Sequence, residues 1–483
     1  MLEDRYCFDS DASLDAQTWS RFHSVYSNRV RMLRYLSPMF WTDQSDLSTI
    51  LRNSVYSTIL TINSPKLREL EWRTISELLP SSTLFMHDKI EKFSMAALHE
   101  GGDITNVEMS QLWSLVKTIP ARMPFLTSLK VEPYLKESYV APLVALLNSL
   151  PNLAHFATST FHDISPFLLS SGASRLRSLE FSTFAYDDWA KEPTCKWGGP
   201  FPDGSYPAFV DNFAVCVMKY NAVSSFFQHH NLNHLKTVTI KTLHIEKPAV
   251  VRRLFQVLSR SCPALSIVHV DFHYEYLLID EEEHIVVSSP TPTEEILAFD
   301  GIEPMLHCKN VTDFSFIHQY PTIMTDSDLE TMAIAWKNLK WVALGYSPWV
   351  ICTQANRPTL SRHCPEITEV SLLFDTKSSN PSTSSSPSTT PSLRAVPKLK
   401  ALRVCTSELD LEDGGRLLCQ VCDPQCKLEW TTHDANTGKP IELGPWKTIK
   451  ETFPVFFELY RKAQEREDRI NDLERLLELG QAV

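Results

Sequence analysis

Three cysteines and one histidine near the carboxyl end of the chain are the residues best suited to bind a metal ion. Cys419, Cys422 and Cys426 follow one another at short spacings, and His433 comes seven residues later. Thiolate sulfur and imidazole nitrogen are the ligands that Zn²⁺ prefers in tetrahedral sites. The usual structural site has two separated ligand pairs, whereas these residues form a single cluster. Two interpretations of this cluster are possible, a zinc site and a set of reduced cysteines without a metal ion. We expect the reduced cysteines.

The sequence contains none of the common catalytic or nucleotide-binding motifs. There is no glycine-rich dinucleotide or phosphate loop, no HExxH zinc motif and no GxSxG nucleophile turn. Glycine is scarce, with 13 residues in 483, against a usual share of about 7%. The sixteen histidines are dispersed along the chain. We therefore expect a protein that is not an enzyme and that has no cofactor.

One short pattern recurs through most of the chain, and it predicts the fold. It consists of an apolar residue, two others, an apolar residue, one other and an apolar residue. This LxxLxL spacing is typical of leucine-rich repeats, in which a turn leads into a short strand that buries alternate side chains. The pattern begins at Leu67, Ile90, Leu126, Leu153, Leu176, Leu235, Leu265, Val311, Leu339, Ile367 and Leu399.

The repeat is irregular in its length and its turns. Two steps, of 59 residues after Leu176 and 46 residues after Leu265, are too long for one repeat. They contain either an insertion or a repeat too degenerate to recognise. The Asn or Cys that usually follows the strand is also missing, so we expect no side-chain ladder along the turns.

Helical periodicity separates several of these strands. Apolar residues recur at three- and four-residue steps in Val250–Leu258, Ser327–Trp336 and Tyr139–Leu147. Ser327 or Asp326 is the expected N-cap of the second of these helices. Alternation of strand and crossover helix predicts an α/β solenoid, an irregular horseshoe with a parallel sheet on its concave face and helices on its convex face. We expect the middle residue of each strand to be buried: Leu129, Leu179, Val238, Val268, Val342, Val370 and Leu402.

The sequence divides into a cap, a solenoid and a terminal helix. Residues 1–60 should form a helical cap and linker, because Trp19, Phe22, Tyr26, Val30 and Leu33 make an aromatic stripe. The solenoid should occupy residues 61–430, interrupted by a disordered Ser/Thr/Pro loop at 376–392. Residues 445–483 should form a helix with a thin apolar stripe, which we expect to be solvated and not to dimerise.

Composition narrows the class of partner. The net charge is −12 and the pI is about 5.8, which disfavours binding to nucleic acid or to anionic membranes. The eleven cysteines are scattered, and Cys262, Cys308 and Cys364 lie just before strands. Reduced thiols are typical of a cytoplasmic or nuclear protein. We expect a monomer outside any complex.

A solenoid of this kind binds partners through its open sheet face and the adjoining loops. The residues between the buried positions should point outward, and they include Thr239, His269, Ser315, Ala343 and Ser371. Aromatic side chains in ordered loops are frequent sources of binding energy. The expected partner-binding residues are Trp197, Phe201, Tyr274, Tyr276, Tyr346 and Trp349. The alternative is that these rings pack inside their own insertions.

Several segments resemble a divergent family of fungal F-box proteins with leucine-rich repeats. The segment WSRFHSVYSNRVRML at 19–33 is similar to the one that follows the F-box in that family. The segments TDSDLETMAIAWKNLKWVALG, CPALSIVHV and CPEITEVSLL resemble its repeats. The resemblance implies the substrate-recognition part of a cullin-type ubiquitin ligase, in which the F-box binds a Skp-type adaptor and the repeats hold the target. The F-box pattern itself is not found in the eighteen residues before Trp19, so a free-standing scaffold is the alternative.

Overall fold

The structure is a computed structural model of the chain, which divides into two compact units. The first unit is Met1–Val210 and the second is Asp211–Val483. The described residues are 30–36, 66–98, 106–132, 137–161, 163–183, 210–217, 219–229, 232–242, 246–272, 297–318, 322–344, 360, 362–372, 399–404, 422, 426–429 and 444–481. No helix in this described part is long and apolar enough to cross a membrane.

The first unit contains a run of parallel strands in sequence order. Each strand pairs with the next, and the apolar middle residues face one another across the sheet. Parallel order requires a crossover between consecutive strands. The described strands are β1 (Met32–Leu36), β2 (Glu69–Ile75), β3 (Lys92–Leu98), β4 (Ser128–Glu132), β5 (His155–Ser159) and β6 (Ser178–Thr183).

The second unit continues the same strand pattern within its own sheet. Its main parallel sheet has the order β7-β8-β9-β11-β13-β14-β15-β16 among the described strands, and β10 and β12 form a separate parallel pair. The strands are β7 (Asn212–Val217), β8 (Thr237–Thr242), β9 (Ile267–Phe272), β10 (Leu297–Ala298), β11 (Asp313–Ile317), β12 (Thr322–Ile323), β13 (Trp341–Leu344), β14 (Glu369–Leu372), β15 (Ala401–Val404) and β16 (Lys427–Glu429).

Helices and short 3-10 segments connect the strands. All three helices predicted between strands are present. The N-cap of the helix Asp326–Ala335 is Thr325, not Ser327 or Asp326 as predicted, and Thr325 forms a reciprocal capping box with Asp328. The described helices are α1 (Asn106–Arg122), α2 (Val140–Ser149), α3 (Ser165–Leu168), α4 (Tyr220–His229), α5 (Pro248–Ser261), α6 (Asp326–Ala335) and α7 (Gly444–Gln481). The 3-10 segments are Ser76–Phe85, Glu137–Tyr139, Ala173–Arg175, Phe299–Gly301 and Glu303–His307.

The predicted α/β architecture with a parallel sheet is confirmed. Every one of the eleven LxxLxL motifs leads into a strand of the structure. The step of 59 residues contains a further repeat, because Val210, Phe213 and Val215 fit the LxxLxL spacing around β7 and are buried. The predicted N-terminal helix does not extend to Leu33, which lies in β1 and pairs with Leu70.

One face of each sheet is packed against helices, and this packing forms the core. The seven middle residues predicted to be buried are all buried, none more than 7% exposed. In the second unit the ring of Phe255 on α5 lies 5.4 Å from that of Phe316, and Trp336 after α6 lies 4.8 Å from Phe314. Burial of rings and branched chains supplies the main stabilising free energy of such a fold.

The turns before the strands are joined by hydrogen bonds from one repeat to the next. The backbone N–H groups of Ser266 and Ile267 both donate to the carbonyl of Lys236, and Thr312 and Asp313 repeat the arrangement on Ser266. The hydroxyl groups of Ser266 and Thr312 donate to the same two carbonyls. Most of these buried backbone groups are therefore satisfied without the missing asparagine.

Cysteine thiols make a second ladder, contrary to the expectation that the turns would have none. The Cys308 thiol donates to the carbonyl of Cys262 at 3.8 Å, and the Cys364 thiol donates to the carbonyl of Trp336 at 3.4 Å. These thiols lie three residues before the first apolar position of their repeats, not after the strand. Cys262, Cys308 and Cys364 are buried as expected, and burial raises the pKa of the latter two to about 11.

Candidate protein-binding surface

The two sheets each have a face opposite the helices, which we call the outer face. Side chains alternate across a strand, so residues between the buried positions lie on it. In the second unit, pairing places one outer row across the strands as Ala214, Thr239, His269, Ser315, Ala343 and Ser371. The residues that the sequence predicted to point outward therefore do pair with one another in a single row across the strands.

The outer face of the first unit is occupied by ion pairs. Arg34 and Arg73 both contact Glu71 at 2.8 Å, and Lys130 contacts Glu132 at 2.7 Å. The Arg34–Glu71 pair joins the neighbouring strands β1 and β2, whereas the other two pairs each lie within one strand. Exposed pairs of this kind contribute about 0–1 kcal/mol each. The face is therefore a solvated surface whose charges are already partnered.

The outer face of the second unit is different, because an aromatic pair crosses it. The rings of His269 on β9 and Trp341 on β13 meet with centroids 4.9 Å apart and planes at 88°. Strand β11 lies between β9 and β13, so the two rings close over it. This explains why Ser315 on β11 is only 1% exposed. The expectation of an open row is wrong at Ser315, Ala343 and Ser371, which are all buried.

Both rings of this pair carry a buried nitrogen without a hydrogen-bond partner among the described residues. The atoms are Nε2 of His269 and Nε1 of Trp341. Burial lowers the pKa of His269, and the nearby Asp313 carboxylate offsets this only in part. The imidazole is therefore neutral at neutral pH. A buried polar group left unpaired costs about 1–3 kcal/mol.

A half-hidden carboxyl group lies beside the aromatic pair. The Ser315 hydroxyl donates to Oδ1 of Asp271 at 2.8 Å. Burial raises the pKa of Asp271 from 3.8 to about 6, although this hydrogen bond and the charge of Lys241 both act in the opposite direction. Lys241 is the residue paired with Asp271 on the neighbouring strand. Desolvation therefore outweighs the neighbouring donor and cation.

Asp271→Asn should stabilise the protein above pH 6 and have little effect near pH 4. The unfolded carboxyl ionises near 3.8, whereas the folded one ionises near 6. Between these values the folded state binds more protons, so stability falls as pH rises. The ionised Asp271 carboxylate lowers the free energy of unfolding by roughly 3 kcal/mol at most, at 1.36 kcal/mol per pKa unit. This full loss applies above pH 6. Asparagine removes it and still accepts the Ser315 bond, and urea melts from pH 4.5 to 7.5 measure the gain.

The matched control for this measurement is Asp468→Asn on the exposed part of α7. Asp468 is a solvent-exposed carboxylate, so its substitution should change the free energy of unfolding by less than about 0.5 kcal/mol at every pH. A loss of stability in Asp271→Asn at pH 7.5 would show that the ionised carboxylate is a net stabilising group.

Residues after the carboxyl ends of the neighbouring strands form a buried cap. Oε1 of Glu246 accepts from the backbone N–H of Tyr220 at 2.7 Å, which satisfies the first turn of α4. Nε2 of His318 contacts the backbone carbonyl of Glu246 at 3.1 Å. Burial raises the pKa of Tyr220 well above 10, with Asp271 and Glu246 acting in the same direction. These contacts join residues that follow β7, β8 and β11 in the chain.

The structure brings together only part of the residues predicted for the site. The six aromatic residues Trp197, Phe201, Tyr274, Tyr276, Tyr346 and Trp349 lie outside the described residues, so their role stays a prediction. Cys422 and Cys426 are buried, whereas Cys419 and His433 are also outside the described part. No group of three metal-binding side chains occurs among the described residues, and the choice between zinc and reduced cysteines stays open.

Sequence reasoning named His269 and Ser315 but missed Trp341 and Asp271. Both of these residues also occupy outer positions, next to buried residues of the LxxLxL motif. The alternation could therefore have identified them. Their contact with His269 and Ser315 could not be read from the sequence, because it depends on strand order and register.

Comparison with known proteins finds similarity to solved structures. No family model matches the chain, and no curated relative matches it. A chain in the crystal structure of the Rad7 and Elc1 complex in yeast is similar at a TM-score of 0.29 and 12% identity. The match covers 74% of this chain and 87% of that chain.

Proposed function

We propose that this chain is a protein-binding module and that the outer face of its second unit contacts the target. The observation that supports this most directly is the His269–Trp341 pair, which crosses β11 on the face opposite the packed side chains of Phe255 and Trp336. Both residues remain partly exposed. The partner class is a protein because the chain is acidic and the face contains aromatic and small residues, not a basic patch.

The chemistry of the pair fits a protein contact. Tryptophan is among the residues most enriched in interface hot spots, where truncation costs about 2 kcal/mol or more. The partly exposed rings of His269 and Trp341 offer aromatic area to a protein ligand. The first unit presents no equivalent in its described strands, since its outer charges already contact one another.

The test is target capture by the full chain and by two variants that each remove one ring. Trp341→Ala should lose the protein that wild type retains, with at least a thirtyfold weaker Kd once that protein is purified, a change equivalent to about 2 kcal/mol. Phe125→Ala removes an exposed ring in the first unit and should bind like wild type. Equal binding by all three proteins, with unchanged circular dichroism, would refute a role for this face.

A finer form of the proposal rests on the family resemblance. The target would then be presented to a cullin-based ubiquitin ligase through a Skp-type adaptor, and the alternative is a free-standing scaffold. Purification of the tagged protein from its own cells distinguishes them. Abundant adaptor and cullin peptides support the ligase form, whereas a captured target without either supports the scaffold.

A further inference from the structure

The terminal helix α7 exposes an unusual amount of apolar surface. Val455, Phe456, Leu459, Ile470 and Leu473 are each between 41% and 62% exposed, and all lie on this one helix. Its start is anchored, because Phe453 is buried and its ring lies 6.1 Å from that of Phe457. Beyond this anchor the helix presents large apolar side chains to solvent, which indicates an interaction surface.

The exposed residues follow the spacing of a coiled-coil seam. Phe456, Leu459, Ala463, Arg466, Ile470 and Leu473 are separated by alternating steps of three and four residues. These are the a and d positions of a heptad, which face a partner helix. Arg466 is the one polar residue among the six. A polar group within a seam lowers stability but fixes register.

The charges beside the seam identify the partner. Lys462 and Arg469 occupy the g positions, whereas Glu467 and Glu474 occupy the e positions. In a parallel, in-register pair of identical helices, each g residue faces the e residue of the following heptad on the other helix. Lys462 then meets Glu467 of a second copy, and Arg469 meets Glu474. An antiparallel pair would instead place basic residues together and acidic residues together.

Although the sequence alone led us to expect a solvated helix and a monomer, we propose that α7 forms a parallel coiled coil with α7 of a second copy of this chain. The ion pairs within the helix leave the seam free, since Arg461 contacts Glu458 and Glu465 on the opposite side. Lys462 lies 3.4 Å from Glu458 of its own chain and can exchange this exposed partner for Glu467 of the second copy. The dimer joins two binding modules and therefore binds more tightly to a target that has two or more copies of the recognised site.

The first test is the mass of the full chain in solution. Sedimentation should show a species of twice the 55.1 kDa chain mass that dissociates on dilution. Ile470→Asp should weaken this dimer at least a hundredfold, and Arg466→Leu should tighten it at least tenfold. A chain that stays monomeric at about 50 μM, a concentration at which a dimer with a Kd of about 1 μM is mostly assembled, overturns the proposal. A dimer that is insensitive to Ile470→Asp overturns it equally.

The second test separates charge pairing from apolar association. The double variant Lys462→Glu, Arg469→Glu makes all four flanking positions acidic and should be monomeric. The variant Glu467→Lys, Glu474→Lys makes them basic and should also be monomeric, whereas an equimolar mixture of the two should form a heterodimer. The control is Arg461→Glu with Arg475→Glu, which changes the charge equally at f positions and should leave dimerisation intact. Equal effects of seam and control variants would contradict the proposed pairing.

Discussion

Replacing Val342 with aspartate should unfold the sheet of the second unit. Val342 is fully buried at the middle of β13, between Phe314 on β11 and Val370 on β14. An aspartate there is either an unpaired buried charge or a protonated acid without a partner, and each costs several kcal/mol. The total stability of a domain is about 5–15 kcal/mol. Thermal melts followed by circular dichroism should show a large loss of Tm or no folded transition.

The matched control places the same residue two positions earlier. Lys340 is exposed, and its backbone N–H donates to the carbonyl of Thr312 whatever its side chain. Lys340→Asp should therefore change the free energy of unfolding by no more than about 0.5 kcal/mol. An unchanged melting curve for Val342→Asp would mean that the register of β13 is wrong.

Replacing Phe167 with alanine should have the largest effect of a simple truncation in the first unit. The Phe167 ring is fully buried on the short helix α3 and lies 5.8, 5.4 and 5.7 Å from the rings of Phe156, Phe161 and Phe181. Removing it leaves a cavity among three aromatic residues that are fixed by the sheet. Such truncations cost about 3–5 kcal/mol. Denaturant titration of the variant should show a correspondingly lower midpoint.

Phe125→Ala is the comparison for this truncation, because it removes the same atoms from an exposed position in the same unit. Phe125 is 59% exposed in the turn before β4, and its loss should alter stability by less than about 1 kcal/mol. If both variants lost stability to the same extent, the four-ring cluster would not be a source of stability.

The strands and their buried faces could be predicted from the sequence because both depend on local periodicity. A residue such as Val268 is buried in any arrangement that packs one side of its strand, and its two apolar neighbours in the motif specify that side. The helices Pro248–Ser261 and Asp326–Ala335 follow from a three- to four-residue period in the same way. Alternating periods also predicted the parallel order, since parallel neighbours require crossovers.

The repeat around β7 was missed although Val210, Phe213 and Val215 fit the LxxLxL pattern at every position, because no helical segment was recognised before them. The cysteine ladder was missed for a different reason. Cys308 and Cys364 lie before the strand instead of after it, and only the stacked turns show that their thiols reach the preceding repeat.

By itself the sequence determined that the chain builds a parallel sheet with one packed and one outer face, because alternation and helical period act within a few residues. Only the tertiary structure decided what lies on that outer face. His269 and Trp341 are 72 positions apart, and the rings meet because β11 lies between their strands and sets their register. From the sequence alone, the five outer positions listed above are all expected to be exposed to the same extent. Stacking makes Ser315 buried, desolvates Asp271 and leaves two ring nitrogens unpaired, because burial depends on neighbours from other repeats.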